Sequence, residues 1–171
     1  MSAPTRGPVV ECVDRRADDD TTVDTDGCCE LLAAVLADEG VPDRATATIL
    51  LVDADEIAAL AAEHLGHEGP TDVLSFPIDG AGPVPTGQPW VVGDIVLCPQ
   101  VAAANAPAHA GDLRSEVALL VTHGGLHLCG WDHADPDEES AMWARERRLL
   151  ALHHGSLSAD PWAAAGTGGA R

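Results

Sequence analysis

Residues 122–133 read THGGLHLCGWDH and place three histidines at the spacing of one metal site. On a helix, His123 and His127 stand four residues apart, so both rings lie on one face, one turn above the other. Gly130 can take the left-handed conformation, end the helix and turn the chain back. His133 then arrives as a third ligand from outside the helix. The spacing predicts a central helix with a metal site at its C-terminal end.

Three protein ligands leave one coordination position open. Zinc bound by three nitrogens at about 2.0–2.1 Å keeps its fourth position for water and lowers the pKa of that water to roughly 7. We therefore predict one zinc ion per chain, held by His123, His127 and His133. The alternative is that these are ordinary helix and loop histidines. Cys129 is a further candidate ligand, although a set of three histidines already suffices.

The same spacing occurs in a zinc-protease signature, H-E-x-x-H-x-x-G-x-x-H, with one difference. Gly124 occupies the position of the glutamate. A zinc protease uses that glutamate as the general base for its water, so a peptidase would lack the residue that it most needs. The motif favours metal chemistry of another kind.

The composition is that of one globular domain. The chain has 171 residues, 46% of them hydrophobic, and we expect a single domain over residues 1–155 and a disordered tail rich in Gly, Ala and Ser over residues 156–171. No signal peptide and no membrane-spanning run is visible, so a cytoplasmic location is expected. Five cysteines without a C-x-x-C motif read as reduced core thiols: Cys12, Cys28, Cys29, Cys98 and Cys129.

The charge argues against a broad nucleic-acid surface. The formal net charge is -19, and the nine basic residues are all arginines, whereas phosphate binding draws on Lys and Arg. DNA binding is not expected, and any RNA contact must be local. A basic cluster in the last helix can meet phosphate or pair with nearby acids. Its members are Arg145, Arg147 and Arg148, and the acids are Glu138, Glu139 and Glu146.

Hydrophobic periodicity alternates between strands and helices. Strands are predicted at residues 9–14, 45–53, 69–77 and 91–99, and helices at residues 28–39, 56–65, 100–105, about 113–128 and 137–153. Asp112 is expected to cap the central helix, and either Asp53 or Asp55 the second helix. The alternation favours a sheet with helices packed on it and leaves the strand order open.

Polar residues in two strands and in the central helix are further site candidates. Thr71, Asp72 and Ser75 lie in a short strand bounded by prolines, an edge strand along which an extended ligand can lie. The alternative is that these three side chains only cap and turn the chain. Asp94 interrupts a buried strand, as a hydrogen-bonded structural carboxylate or as part of the site wall. Glu116 lies two turns before His123, where it can orient a ligand or simply favour the helix dipole.

Three blocks of the sequence resemble the YbeY family of bacterial endoribonucleases. They are PTDVLSFP at residues 70–77, GDI at residues 93–95, and HGGLHLCGWDH at residues 123–133, in the family's order and spacing. The resemblance covers roughly residues 9–154. It implies an α+β fold, in which helices pack on a small mixed β-sheet of about four strands and a zincin-like central helix carries the metal ligands.

The resemblance also implies a function. Members are expected to hold one zinc through the three histidines and to cleave single-stranded RNA in 16S ribosomal RNA 3′-end maturation and ribosome quality control. A ribosomal protein or the pre-ribosome is the implied partner. A ribosome-assembly factor with a mainly structural zinc is the alternative.

Two positions depart from the pattern of that family. Trp131 stands where the family commonly has Tyr. Leu65 stands where many members have an Arg, which would stabilise charge on a phosphoryl group. The loss of that Arg predicts weak catalysis, unless another group such as Arg114 fills the role.

Overall fold

Four strands form one mixed sheet in the computed structural model, which describes residues 7–163. The strands are β1 (Val9–Asp14), β2 (Thr46–Leu51), β3 (Val73–Pro77) and β4 (Val91–Leu97), and their order in the sheet is β1-β2-β4-β3. The first two strands and β4 run parallel, while β3 pairs antiparallel with β4. The predicted α+β fold with a small mixed sheet is confirmed.

Helices pack on both faces of this sheet. They are α1 (Thr25–Asp38), α2 (Ala54–Leu65), α3 (Pro99–Asn105), α4 (Leu113–Leu128) and α5 (Pro136–His153). The main hydrophobic core lies between the sheet and α1 and α4, with the buried side of α5 packed on these two helices, and a smaller cluster lies under α2. Helix α4 is buried along nearly its whole length, and the carboxylate of Asp112 caps it by accepting from the Ser115 N–H at 2.8 Å. No described helix is both long enough and apolar enough to cross a membrane.

Strand β3 is an edge strand, as its flanking prolines predict. Among the described strands it pairs with β4 alone, with Ser75 opposite Ile95. Side chains alternate along the strand, so Ser75 faces α4 while Leu74 and Phe76 join the cluster under α2. The sheet therefore ends beside the C-terminal half of α4, where the histidines lie.

The second helix is not capped in the predicted way. Asp53 occupies the N-cap position of α2, but its side chain makes no capping hydrogen bond. Its carboxylate instead accepts the backbone N–H groups of Ala17 at 2.8 Å and Asp19 at 3.0 Å. The backbone N–H groups of the acidic linker after β1 need acceptors, and the Asp53 carboxylate provides one.

Residues 156–163 differ from the expected disordered tail. The Ser158 N–H donates to Ser115 Oγ at 3.0 Å, and the Ala159 N–H donates to the carbonyl of Ala110 at 2.8 Å. Leu157 and Trp162 pack against the main core. These apolar residues, spaced among small ones, supply the burial that a disordered tail lacks. Residues 1–6 of the expected domain and 164–171 of the expected tail lie outside the described residues.

Candidate metal centre

The three histidines of the opening motif come together at the end of α4. His123 is buried, and His127 lies one turn further along the helix. Gly130 has φ of +94°, and the Trp131 N–H returns to the carbonyl of Leu126 at 3.1 Å, so the chain turns back as predicted. The turn brings His133 beside the other two rings. One nitrogen of each ring lies within 4.8 Å of the others, a group that can hold a metal ion.

Hydrogen bonds fix two of these rings in orientation. The Nδ1–H of His123 donates to Glu146 Oε1 at 2.5 Å, and the Nδ1–H of His127 donates to the carbonyl of Trp131 at 2.8 Å. With Nδ1 protonated in both rings, each Nε2 carries a lone pair. The two Nε2 atoms lie 3.0 Å apart. Two lone pairs that face each other repel, and a shared cation removes that repulsion, so the donor set fits a metal ion.

The electrostatic environment keeps His127 neutral. Burial, together with the neighbouring rings of His123 and His133, lowers the pKa of His127 from its usual 6.5 to about 4. At neutral pH this imidazole is therefore available as a ligand.

Cys129 does not join the histidines. The described metal-binding group contains histidines alone, and burial raises the pKa of the Cys129 thiol to about 12. A thiol held protonated is a poor ligand.

A groove of about 490 Å³ runs from the three histidines along β3. Thr71, Asp72 and Ser75, three of the predicted site residues, line it, and so does Leu65 at the end of α2. The Ser75 hydroxyl donates to the carbonyl of Gly124 at 3.3 Å, and this hydrogen bond joins β3 to α4. Among its lining residues there is no Lys or Arg. The groove thus meets the metal-binding group along one wall and carries no positive charge.

Asp94 lies away from this site. Its neighbours Gly93 and Ile95 face α4, because a Cβ built on Gly93 would lie 2.8 Å from Leu128 Cδ2 and the Ile95 side chain reaches Gly124. Alternation along β4 therefore directs Asp94 to the opposite face of the sheet. Asp94 is therefore not part of the site wall, which was one of the two roles considered for it.

Glu116 does not contact a metal-binding histidine. It is fully buried, and its carboxylate is 2.8 Å from His109 Nδ1 and accepts the Ala110 N–H at 3.1 Å. These contacts hold the turn that precedes α4. The carboxylate that accepts the hydrogen bond of His123 is that of Glu146, 23 residues further along the chain.

A signal for Glu146 was present in the sequence. Met142, Glu146 and Leu149 follow helical spacing, so Glu146 lies in the inward stripe of α5, and all three are buried. A carboxylate in such a stripe needs a partner, because burying an unpaired charge is costly. The proximity of Glu146 in sequence to the arginine cluster predicts a partner of that cluster instead, and that prediction misses the contact with His123.

Two arginines of the α5 cluster, Arg145 and Arg147, make contacts within the fold. Arg145 Nε donates to Glu39 Oε1 at 2.6 Å, and Trp131 Nε1 donates to Glu39 Oε2 at 2.8 Å. Arg147 lies over the Trp162 ring, 5.0 Å from its centroid. The Glu39 contacts join the end of α1 to the loop that carries His133.

Arg114 lies at the other end of α4. It lines a separate cavity together with the beginning of α1 and the end of α5, and it is not among the residues of the groove. It therefore does not replace the missing cation at residue 65.

Gly124 lies where α4 packs tightly on β3 and β4. A Cβ built on Gly124 would lie 3.0 Å from Ile95 Cδ1 and 3.2 Å from Ser75 Oγ. We predict that Gly124→Glu lowers the free energy of unfolding by about 1–3 kcal/mol, because it overpacks this contact and buries a charge. Urea unfolding measures the change, and the variant should gain no peptidase activity. Gln100→Glu, on the exposed surface of α3, is the control; equal stability of both variants and the parent would contradict the prediction.

An α+β domain with three converging imidazoles beside a groove is the arrangement of a metal-dependent hydrolase. The family model described as Endoribonuclease YbeY matches residues 14–154. The chain therefore belongs to the YbeY endoribonuclease family, whose members are RNA-cleaving hydrolases.

Curated relatives agree with this assignment. An Endoribonuclease YbeY of Salinispora tropica is 43% identical over 137 residues, which cover 75% of this chain and 87% of the relative. That of Kineococcus radiotolerans is 44% identical over 131 residues, which cover 75% and 76%. The solution structure of a protein from Thermotoga maritima matches with a TM-score of 0.57 at 24% identity and covers 85% of this chain and 89% of its own. This last likeness supports the fold.

Proposed function

We propose that the chain is a zinc-dependent endoribonuclease that cleaves single-stranded RNA in ribosomal RNA maturation, at the 16S 3′ end, and in ribosome quality control. His123, His127 and His133 hold the zinc. The observation that carries the proposal is the convergence of three imidazoles at one end of a groove whose wall is an edge strand. Zinc in such a site acts as a Lewis acid on a phosphoryl oxygen and supplies a nucleophile by lowering the pKa of water.

The residues of the chain prepare the site for this chemistry. Glu146 and the carbonyl of Trp131 hold two rings so that their Nε2 atoms face the same point. Thr71 and Ser75 bring hydroxyl groups to the groove, and β3 has a backbone side that is not paired with another described strand. A groove of about 490 Å³ is in the size range of small-ligand sites, which suits an unpaired strand better than a duplex.

The charge of the chain supports dependence on a partner. The net charge is -19, and Asp72 and Asp132 line a groove without Lys or Arg. RNA would be repelled at a distance, so a ribosomal protein or the pre-ribosome is expected to bring the substrate to the site. All five cysteines are free, which supports action in the reducing cytoplasm.

One observation favours a second candidate function. Leu65 is 66% exposed beside the groove, where a cation would assist cleavage. With Leu65 in place of that cation, the protein can act as a ribosome-assembly factor whose zinc is mainly structural. In that case the ion stabilises the end of α4 and the loop to His133 without fast cleavage.

A cleavage assay with and without metal separates these functions. The zinc-loaded protein should cut an end-labelled single-stranded RNA, leave the matched duplex largely intact and leave casein uncut. Removing the metal with a chelator should stop cleavage, and zinc should restore it. Cleavage that survives complete metal removal would contradict the proposal. A lower melting temperature after chelation, with no RNA cleavage before it, would support the structural-zinc candidate.

A further inference from the structure

The carboxylate of Glu146 has a second partner that the metal chemistry does not explain. Glu146 is 2% exposed, and while Oε1 accepts from His123, Oε2 accepts the indole N–H of Trp162 at 2.9 Å. A buried carboxylate is stable only when donors satisfy its oxygens. A chain of two hydrogen bonds thus runs from residue 162 through α5 to a metal-binding ring on α4.

The segment that carries Trp162 is itself fixed to the domain. The Ser158 hydroxyl donates to Asp112 Oδ2 at 2.5 Å, and the backbone N–H groups of Ser158 and Ala159 hold the same segment to the first turn of α4 and to the residues just before it. Pro161 is buried directly before Trp162. The Arg147 guanidinium covers the indole ring, 5.0 Å from its centroid. These contacts leave the indole little freedom to leave the carboxylate.

We propose that Trp162 is a positioning residue of the metal centre. Its indole N–H holds Glu146 in the orientation that accepts the Nδ1–H of His123, so that His123 Nε2 points to the shared metal position. Residues 156–163 are therefore part of the functional site. The inference rests on the metal centre of the proposed function and adds to it a residue that does not touch the ion.

Trp162→Phe removes the indole N–H and keeps an aromatic ring for Arg147 to cover. Loss of a group that hydrogen-bonds to a metal ligand typically lowers metal affinity by 10-fold to 100-fold. Trp162 is one hydrogen bond further from the ligand than Glu146. We therefore expect the zinc dissociation constant, measured by competition with a chromophoric chelator, to rise roughly tenfold. Trp90→Phe is the matched control, because Trp90 Nε1 donates to the carbonyl of Gly80 at 2.9 Å and Trp90 does not line the groove.

A second measurement needs no metal. In ¹⁵N-labelled metal-free protein, the ring nitrogen of His123 that carries the proton is read from two-bond ¹H–¹⁵N couplings. We expect the Nδ1–H form in the parent and in Trp90→Phe, and a mixture of both forms in Trp162→Phe. Glu146→Gln should resemble Trp162→Phe, because His123 and Trp162 donate to different carboxylate oxygens and glutamine replaces one of those acceptors with an NH2 donor.

The outcomes separate this inference from the proposed function. Unchanged zinc affinity and an unchanged His123 proton position in folded Trp162→Phe would overturn the inference and leave the metal centre intact. An equal loss of affinity in Trp162→Phe and Trp90→Phe would also overturn it, because the effect would then be one of general stability. If the parent binds no zinc, the proposed function fails, and the proton position of His123 alone decides whether Trp162 orients that ring.

Discussion

Zinc binding will be lost when His127 is replaced by alanine, and the rate of RNA cleavage will fall by at least about 10³-fold. The ring centroid of His127 lies 4.5 Å from that of His123 and 4.9 Å from that of His133, and its Nε2 atom lies 3.0 Å from that of His123. Two remaining imidazoles do not complete a zinc site. Metal ions contribute several kcal/mol of transition-state stabilisation, and each 1.36 kcal/mol corresponds to tenfold in rate. The zinc content of the purified protein and the initial rate on single-stranded RNA measure the two effects.

His67→Ala is the matched control for this change. His67 is exposed in the loop after α2 and does not line the groove. It should keep one zinc per chain and the parent rate. If His127→Ala, or the combined alanine variant of all three histidines, still carried one tightly bound zinc, the assignment of the metal centre would be wrong.

The second large effect is a gain of activity. Leu65→Arg should raise the rate of single-stranded RNA cleavage by about 10²–10³-fold, the usual contribution of one preorganised charge donor at a transition state. Leu65 is 66% exposed at the end of α2 and shares the groove with His123, His127 and His133. A guanidinium at this position would face the groove that the metal-binding group lines, and no Lys or Arg is among the lining residues. Single-turnover rates on a short labelled RNA measure the gain.

Leu152→Arg controls for the change in net charge. Leu152 is 61% exposed on α5 and does not line the groove, so an arginine there reduces the general repulsion of RNA without approaching the site. Leu152→Arg should alter the rate only slightly. Equal gains in both variants would mean that the charge of the whole surface limits cleavage, and no gain in Leu65→Arg with zinc content intact would contradict a role for residue 65.

Local patterns were enough to predict the elements and the clustering of the three histidines. The i, i+4 spacing of His123 and His127 and the turn at Gly130 act within about a dozen residues, where chain geometry leaves few alternatives. The prolines around β3 likewise predict its place at the edge of the sheet. The pairing of strands depends on contacts distant in sequence and required the structure.

The supporting contacts could not be predicted because they join distant segments. Glu146 reaches His123 across 23 residues, and Trp131 reaches Glu39 across 92. Glu116 has the helical spacing expected of a residue that supports His123, but His109 and Ala110 provide nearer partners. Residues 156–163 are held in place by hydrogen bonds to Ser115 and Ala110. No local pattern within the segment predicts these distant partners.

Glu39 links the stability of the chain to the geometry of its metal centre. A carboxylate at the C-terminal end of a helix opposes the helix dipole, and such an arrangement typically costs about 0.3–1 kcal/mol. Glu39 occupies this position at the end of α1, where its two oxygens accept from Trp131 and Arg145. The unfavourable charge at α1 thereby orders the loop that delivers His133. A neutral residue at this position would remove that cost but leave the Trp131 N–H and the Arg145 guanidinium without their acceptor, which typically costs about 1–3 kcal/mol, so the melting temperature and the order of the His133 loop are expected to fall together.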